Sequence, residues 1–248
     1  MIDLAGRRAF VTGGSRGVGE ATAVAFARAG ADVALSYHTR RERAEAVAER
    51  VRALGRRAVV VGGDHADPAS VAHMTDVVRA AFGGLDVFVA NAGIWPEADV
   101  ALRDMPDARW HETVRVNLDG VFMTTRAALP LIAPGGTVVL VSSTAGQRGE
   151  AMHADYAATK GALIALTRSL AAECAPHVTV NCVAPGWVDT EMSAGVLTGD
   201  YRRRVEGSIP LRRIATADDV AGPIVFLASP LARHMTGAVL NVNGGSVV

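Results

Sequence analysis

Seven short runs rich in β-branched residues alternate with longer helical stretches along this 248-residue chain, and that alternation limits the folds open to it more than any other feature. The runs span residues 8–12, 32–36, 58–61, 86–90, 137–141, 178–181 and 238–241. Most are continuously apolar, the pattern of strands buried on both faces. Residues 17–29, 41–54, 70–82, 109–131 and 156–170 between them carry helical patterning. Strand, crossover helix and parallel strand, repeated with a right-handed crossover, build a parallel sheet wrapped on both faces. The expected class is therefore α/β, a doubly wound seven-stranded parallel sheet, with ligands bound beyond the carboxyl ends of the strands where strand order reverses.

No Pro/Ser-rich or charged linker divides the chain, so a single domain over 1–248 is expected. Lys+Arg and Asp+Glu balance at 25 each, which argues against a nucleic-acid or anionic-membrane partner and favours a small-molecule one. No apolar signal core follows the first residues and no run reaches the ~18 apolar residues of a span. A cytoplasmic protein with reduced Cys174 and Cys182 is expected, and the histidines form no metal-ligand cluster.

The first strand runs into Thr12-Gly13-Gly14-Ser15-Arg16-Gly17-Val18-Gly19, and a helix follows directly. Glycines let such a turn adopt positive φ and bring backbone N–H groups against a pyrophosphate at a helix N-terminus. The spacing of Gly13, Gly17 and Gly19 is Gly-x-x-x-Gly-x-Gly, not Gly-x-Gly-x-x-Gly. Which nucleotide fits depends on the end of the second strand, Ser36-Tyr37-His38-Thr39-Arg40-Arg41, where the carboxylate that would accept the ribose hydroxyls of NAD is missing. Arg16 and Arg40, helped by Ser36 or Thr39, would instead pair with a 2′-phosphate, so NADP(H) is expected in preference to NAD(H). The blander alternative makes Arg40 and Arg41 the solvated start of a helix.

Lys160 is the only lysine in the chain; every other basic charge is an arginine. An ε-ammonium is compact and can reach two neighbouring oxygens, which a planar guanidinium cannot do in the same way. Tyr156 stands four residues earlier, on the same helical face. A nearby fixed positive charge favours a phenolate, so the pair is expected to give a tyrosine that exchanges protons near neutral pH, a general acid/base. The alternative is a surface Tyr/Lys pair with no chemistry.

TGGSRGVG at 12–19, ANAG at 90–93, Asn117 in VRVNLDGVF, Ser143 in VSSTAG, YAATK at 156–160 and VAPGWVDT at 183–190 together resemble the classical short-chain dehydrogenase/reductase family, over essentially the whole chain and nearest its 3-oxoacyl-carrier-protein reductase-like branch. The resemblance implies a single Rossmann-type domain, usually a homotetramer, that moves hydride between NAD(P) and a carbonyl or alcohol. It implies that Tyr156 is the acid/base, that Lys160 holds the nicotinamide ribose and lowers the tyrosine pKa, and that Ser143 bonds the reacting oxygen in preference to Ser142. Asn117 would place a proton-relaying water. Gly13, Ser15, Arg16, Gly17, Val18 and Gly19 would hold the pyrophosphate side, and Tyr37, Arg40, Asp64 and His65 the adenosine end. Asn91, Ala92 and Gly93 would lie beside the adenosine ribose, and Pro185, Gly186, Val188 and Thr190 along the carboxamide.

Ala90 departs from the family's usual Asn, a position tied to sheet hydrogen bonding more than to chemistry. The basic residues by which the carrier-protein reductases grip their acidic partner are missing from 129–136 and 175–177, which favours a free small carbonyl compound or alcohol. Trp95, His153 and Trp187 are the expected substrate wall, with Pro96, Gln147 and Glu150 as further candidates. Residues 190–212, with Gly195, Gly199 and Gly207 spaced through them, read as a mobile lid over substrate. Two other readings stay open: a true 3-oxoacyl-carrier-protein reductase, and a catalytically silent NADP-binding sensor or scaffold.

Overall fold

The apolar runs form β1 (Arg8–Val11), β2 (Asp32–Tyr37), β3 (Ala58–Gly62), β4 (Leu85–Ala90), β5 (Ile132–Val141), β6 (Val178–Pro185) and β7 (Val239–Val242). The structure is a computed structural model describing residues 2–247, so Met1 and Val248 of the 1–248 domain lie outside the described residues. All seven strands pair in parallel as one sheet, in the order β3-β2-β1-β4-β5-β6-β7. The order reverses at β1, whose Val11 lies between Leu35 of β2 and Val89 of β4. A crevice therefore opens above the carboxyl ends of β1 and β4, where the helices after them diverge to opposite faces.

Helices α1 (Gly17–Arg28), α2 (Arg41–Ala53), α3 (Pro68–Phe82), α4 (Asp107–Val114), α5 (Gly120–Ala128), α6 (Thr144–Arg148), α7 (Ala154–Cys174), α8 (Gly199–Ser208) and α9 (Ala217–Leu227) complete the chain. Buried side chains of α1, α2 and α9 meet one face of the sheet, among them Phe26, Val47 and Ile224. The other face meets α3, α5 and α7 through Met74, Val121 and Leu163. No helix among the described residues is long and apolar enough to cross a membrane. Cys174 and Cys182 are unpaired, the first half-buried and the second buried.

Two elements differ from the sequence expectation. The single helix expected over 109–131 is α4, a wide π-turn at Arg115–Asp119, α5 and a 3-10 turn at Leu129–Leu131. A π-turn keeps the chain helical while inserting one residue into the ladder, so no breaker residue marks it in the sequence. Helix α9 contains Gly222 and Pro223, two helix breakers that mask it in the sequence; its start carries a capping box between Thr216 and Asp219.

Buried carboxylates pin the ends of these elements. Asp86 at the start of β4 accepts from Arg8 N (2.9 Å), Arg8 Nε (2.8 Å) and Arg7 Nη1 (3.2 Å). Asp32 at the start of β2 accepts from Arg57 N, Arg57 Nε and Arg56 Nη2 at 2.7–3.1 Å. Asp155, wholly buried in the first turn of α7, accepts from Arg109 Nε (3.0 Å) and Thr113 Oγ1 (2.9 Å), which fastens the start of α7 to α4. Burial by itself would raise the Asp155 pKa, but the bonds from Arg109, Thr113 and the Tyr156 N–H outweigh it and hold the carboxyl below its usual range.

Asp155→Asn is expected to cost about 3–5 kcal/mol, because it leaves Arg109 without its buried counter-charge. The carboxyl is depressed in the fold, so its stabilisation is present above the unfolded value of about 3.9 and lost as pH falls through the folded pKa. Denaturant midpoints across pH 2–7 should therefore converge for wild type and variant at the acid end.

Candidate active site

The crevice is a single cavity of about 860 Å³, within the roughly 300–1,000 Å³ of small-molecule and cofactor sites. The glycine-turn, adenosine-end, carboxamide-side and catalytic candidates line it, as do Trp95, His153, Trp187 and Glu150, whereas Ser36, Pro96 and Gln147 do not and Asn117 lies behind its wall. At the phosphate end Gly13 and Gly17 have φ of +65° and +54°, a region that favours glycine. A Cβ on Gly19 would lie 2.6 Å from Asn91 Nδ2 and collide with the Gly13 carbonyl. Asn91 Nδ2 donates to Thr12 O (2.9 Å), while Thr12 Oγ1 accepts from Asn91 N (3.0 Å) and Ala92 N (3.1 Å). These bonds strap the ends of β1 and β4 together beneath the glycine turn. Arg16 caps α1 without a side-chain bond, so first-turn N–H groups stay open to an anion in the cavity.

At the adenosine end, Tyr37, His38, Thr39 and Arg40 face the cavity, with Asp64 and His65 opposite. Ser36 does not serve an anion there. It is fully buried, accepts from Gly13 N (3.2 Å) and lies 2.8 Å from His65 Nε2, so its hydroxyl braces the glycine turn. Burial lowers the His65 pKa to about 4, which keeps the ring neutral. Asp64 accepts from Arg115 Nη1 (2.8 Å) and Ala66 N (2.9 Å). Arg40 and Arg16 point at one place, joined there by Arg43 from the first turn of α2, and all three are paired with Glu191.

Tyr156 and Lys160 share one face of α7 above the end of β5, with Nζ 5.7 Å from the phenol ring centroid. Lys160 is buried and donates to Val141 O (2.9 Å). Ser142 donates to Lys160 O (2.7 Å), which commits its hydroxyl proton to structure. Ser143 caps α6 by accepting from Ala145 N (3.1 Å), and its hydroxyl proton remains available in the cavity. Asn117 sits in the π-turn, donates from Nδ2 to Ile94 O (2.8 Å) and accepts at Oδ1 from Ile94 N (2.7 Å). A Cβ on Gly93 would lie 3.0 Å from Asn117 Oδ1 and 3.5 Å from Lys160 Nζ, so only glycine leaves the lysine exposed to the cavity.

The phenol is not poised near neutrality as the sequence suggested. Burial raises Tyr156 to about 12, with Ser143 opposing the shift and Glu150 adding to it. Burial also lowers Lys160 to about 8. Desolvation is the largest cause of both shifts.

Over the phenol, Trp95 stacks on His153 (4.9 Å) and meets the edge of Trp187 (5.7 Å), which in turn meets Tyr201 (6.2 Å). His153 donates from Nε2 to Pro96 O (2.9 Å), fixing its ring against the wall. Glu150 lines the cavity, but Gln147 turns away and bonds Asn241 (2.7 Å). Tyr201 and Glu191 are cavity residues that sequence reasoning missed; neither stands in a motif, and only the path of the 190–212 segment brings them back over the crevice. That segment is not wholly irregular. It contains α8, and its Leu197, Val205 and Ile209 cluster with Ile214 against Trp187.

The sequence model of a family described as "Enoyl-(Acyl carrier protein) reductase" matches residues 13–246. The 3-oxoacyl-[acyl-carrier-protein] reductase FabG of Staphylococcus aureus is 38% identical over 242 residues, covering 96% of this chain and 97% of the relative. An L-rhamnose 1-dehydrogenase (NAD(P)(+)) of Azotobacter vinelandii is 39% identical over 253 residues, 99% of this chain and 98% of the relative. Among solved structures, a short chain dehydrogenase of Burkholderia cenocepacia in complex with NADP superposes with a TM-score of 0.92 at 40% identity, covering 98% of each chain.

Gly19→Ala is expected to destabilise the fold by about 1–3 kcal/mol, the usual cost of overpacking, because its methyl would meet backbone. Gly207→Ala, on the open face of α8 with nothing within 4 Å, is expected to gain about 0.5–1 kcal/mol instead. Urea midpoints of the two variants should move in opposite directions.

Proposed function

The chain belongs to the short-chain dehydrogenase/reductase family, and from that premise we propose that it is an NADP(H)-dependent oxidoreductase acting on the carbonyl/secondary-alcohol pair of a small free substrate. The observation that carries this reading is one cavity holding both ends of the chemistry: Ser143, Tyr156 and Lys160 at its floor, and the glycine turn with Arg16 and Arg40 at its far end. The nicotinamide supplies or accepts the hydride when bound. Gly13, Gly17 and Gly19 with the N-terminus of α1 would seat its pyrophosphate, and Pro185, Gly186, Val188 and Thr190 would border the carboxamide.

In reduction, the substrate oxygen would lie between the hydroxyls of Ser143 and Tyr156. A phenol held at about 12 carries its proton at neutral pH and can donate it to that oxygen. Lys160, also the candidate partner of the nicotinamide ribose hydroxyls, would stabilise the phenolate left behind. The π-turn at Asn117 leaves the regular helical ladder beside the lysine, which suits a relay of protons through water. Trp95, His153 and Trp187 would form the substrate wall, and residues 190–212 the lid that excludes water.

Glu97, Asp99 and Glu150 line the same mouth. Carboxylates there would repel an acidic carrier protein, so a free substrate is favoured over a carrier-bound one despite the likeness to FabG. The likeness to L-rhamnose 1-dehydrogenase adds aldoses to the β-ketoesters, diketones and quinones worth screening for NADPH oxidation. The same reading makes the enzyme a cytoplasmic homotetramer, which light scattering and fractionation would check.

Tyr156→Phe is expected to lower turnover about 100- to 10,000-fold while cofactor affinity stays close to wild type. Lys160→Arg, which keeps charge and changes shape, should also lose most activity; full turnover in either variant would refute the assignment. The ratio of kcat/KM for NADPH to that for NADH should exceed one and fall about tenfold or more in Arg40→Ala, the equivalent of losing one charge-assisted bond to phosphate. A wild-type preference for NADH would overturn the cofactor reading.

A further inference from the structure

Glu191 follows Thr190 on the segment that arches over the crevice, and its carboxylate reaches back to the adenosine end. Oε2 accepts from Arg40 Nη1 (3.1 Å) and Arg16 Nη1 (3.5 Å), and Oε1 accepts from Arg43. Three guanidinium groups from two helix N-termini thus share a single carboxylate. Arg16 caps α1, Arg40 caps α2 and Arg43 lies in the first turn of α2. Crowding of this kind calls for an anion, since Arg16 feels the repulsion of Arg40 as well as partial burial.

The four side chains are between 41% and 50% exposed. Pairs so open to water are weak and screened by salt, so Glu191 is held loosely enough to be displaced. A phosphate monoester carries about −1.5 to −2 charges and three acceptor oxygens. It satisfies three arginines better than one carboxylate can, and it cannot share the cluster with Glu191 without strong repulsion.

We propose that Glu191 is an internal stand-in for the 2′-phosphate of the cofactor and a determinant of cofactor choice. It occupies the Arg16–Arg40–Arg43 cluster until a 2′-phosphorylated nucleotide displaces it, whereas a nucleotide without that phosphate leaves it in place. The proposal rests on the NADP reading above.

The test is calorimetric binding of adenosine 2′,5′-bisphosphate and of AMP to the full chain, wild type against Glu191→Gln and Glu191→Ala. Removing the competing carboxylate is expected to tighten the bisphosphate about fivefold or more and to leave AMP unchanged, with the gain shrinking as salt is raised. If wild type prefers the bisphosphate and both variants bind it no better, the proposal is overturned while the NADP reading stands. If wild type shows no preference and the variants acquire one, Glu191 is the competitor proposed and the NADP reading fails. If neither protein distinguishes the ligands, both ideas fall. Weaker bisphosphate binding in the variants would mean that Glu191 organises the arginines rather than competing for them, and would also overturn the proposal.

Discussion

The bond from Lys160 Nζ to the Val141 carbonyl ties the second turn of α7 to the last residue of β5. The site depends on it. An ammonium buried to this degree needs a fixed acceptor, and the carbonyl at the end of β5 provides one that the sheet itself holds still. Ser142 returns a bond to the Lys160 carbonyl, and Gly146 lets α6 pack directly on the Lys160–Gly161 backbone. Phenol, ammonium and the Ser143 hydroxyl are consequently carried by packed backbone rather than by flexible side chains, the condition for holding a reactive constellation to a fraction of an ångström.

Arginine takes two different roles at the two ends of the sheet. At the amino ends of the strands, Arg7 and Arg8 surround buried Asp86, and Arg56 and Arg57 surround buried Asp32. Those carboxylates are nearly inaccessible, and removing either partner leaves an uncompensated charge in the protein. At the carboxyl ends, Arg16, Arg40 and Arg43 converge on half-exposed Glu191, where water and salt weaken each pair. Chemically similar pairs thus hold the fold where they are dry and can be exchanged for a ligand where they are wet. The position of each arginine relative to the sheet decides which role it takes.

A similar division runs along β5 and α7. Ser142 and Ser143 are adjacent and alike, yet strand alternation turns the first into the protein and leaves the second facing the cavity. Tyr156 and Lys160 are both pushed by desolvation toward their neutral forms, the phenol up and the ammonium down. A tyrosine read from its neighbour alone seems activated; a tyrosine read from its surroundings is a protonated donor. Partial burial is the larger influence on the phenol although it still faces the cavity, and the ammonium is committed to a carbonyl.

The amino-acid sequence by itself determined the sheet, because seven buried apolar runs separated by helices admit few arrangements other than a doubly wound parallel one. It also marked the phosphate turn and the Tyr156/Lys160 pair, local patterns whose spacing implies what shares a turn or a face, whereas Ser143 was reached only through the family resemblance. Only the tertiary structure decided what lies far apart in the chain. Glu191 meets Arg16, Arg40 and Arg43, Trp95 stacks on His153, and Asn117 clamps the backbone of Ile94. Local periodicity cannot register such contacts, since they depend on how loops return over the sheet. The same is true of the tyrosine pKa, which is set by the water that packing excludes rather than by any neighbour in sequence.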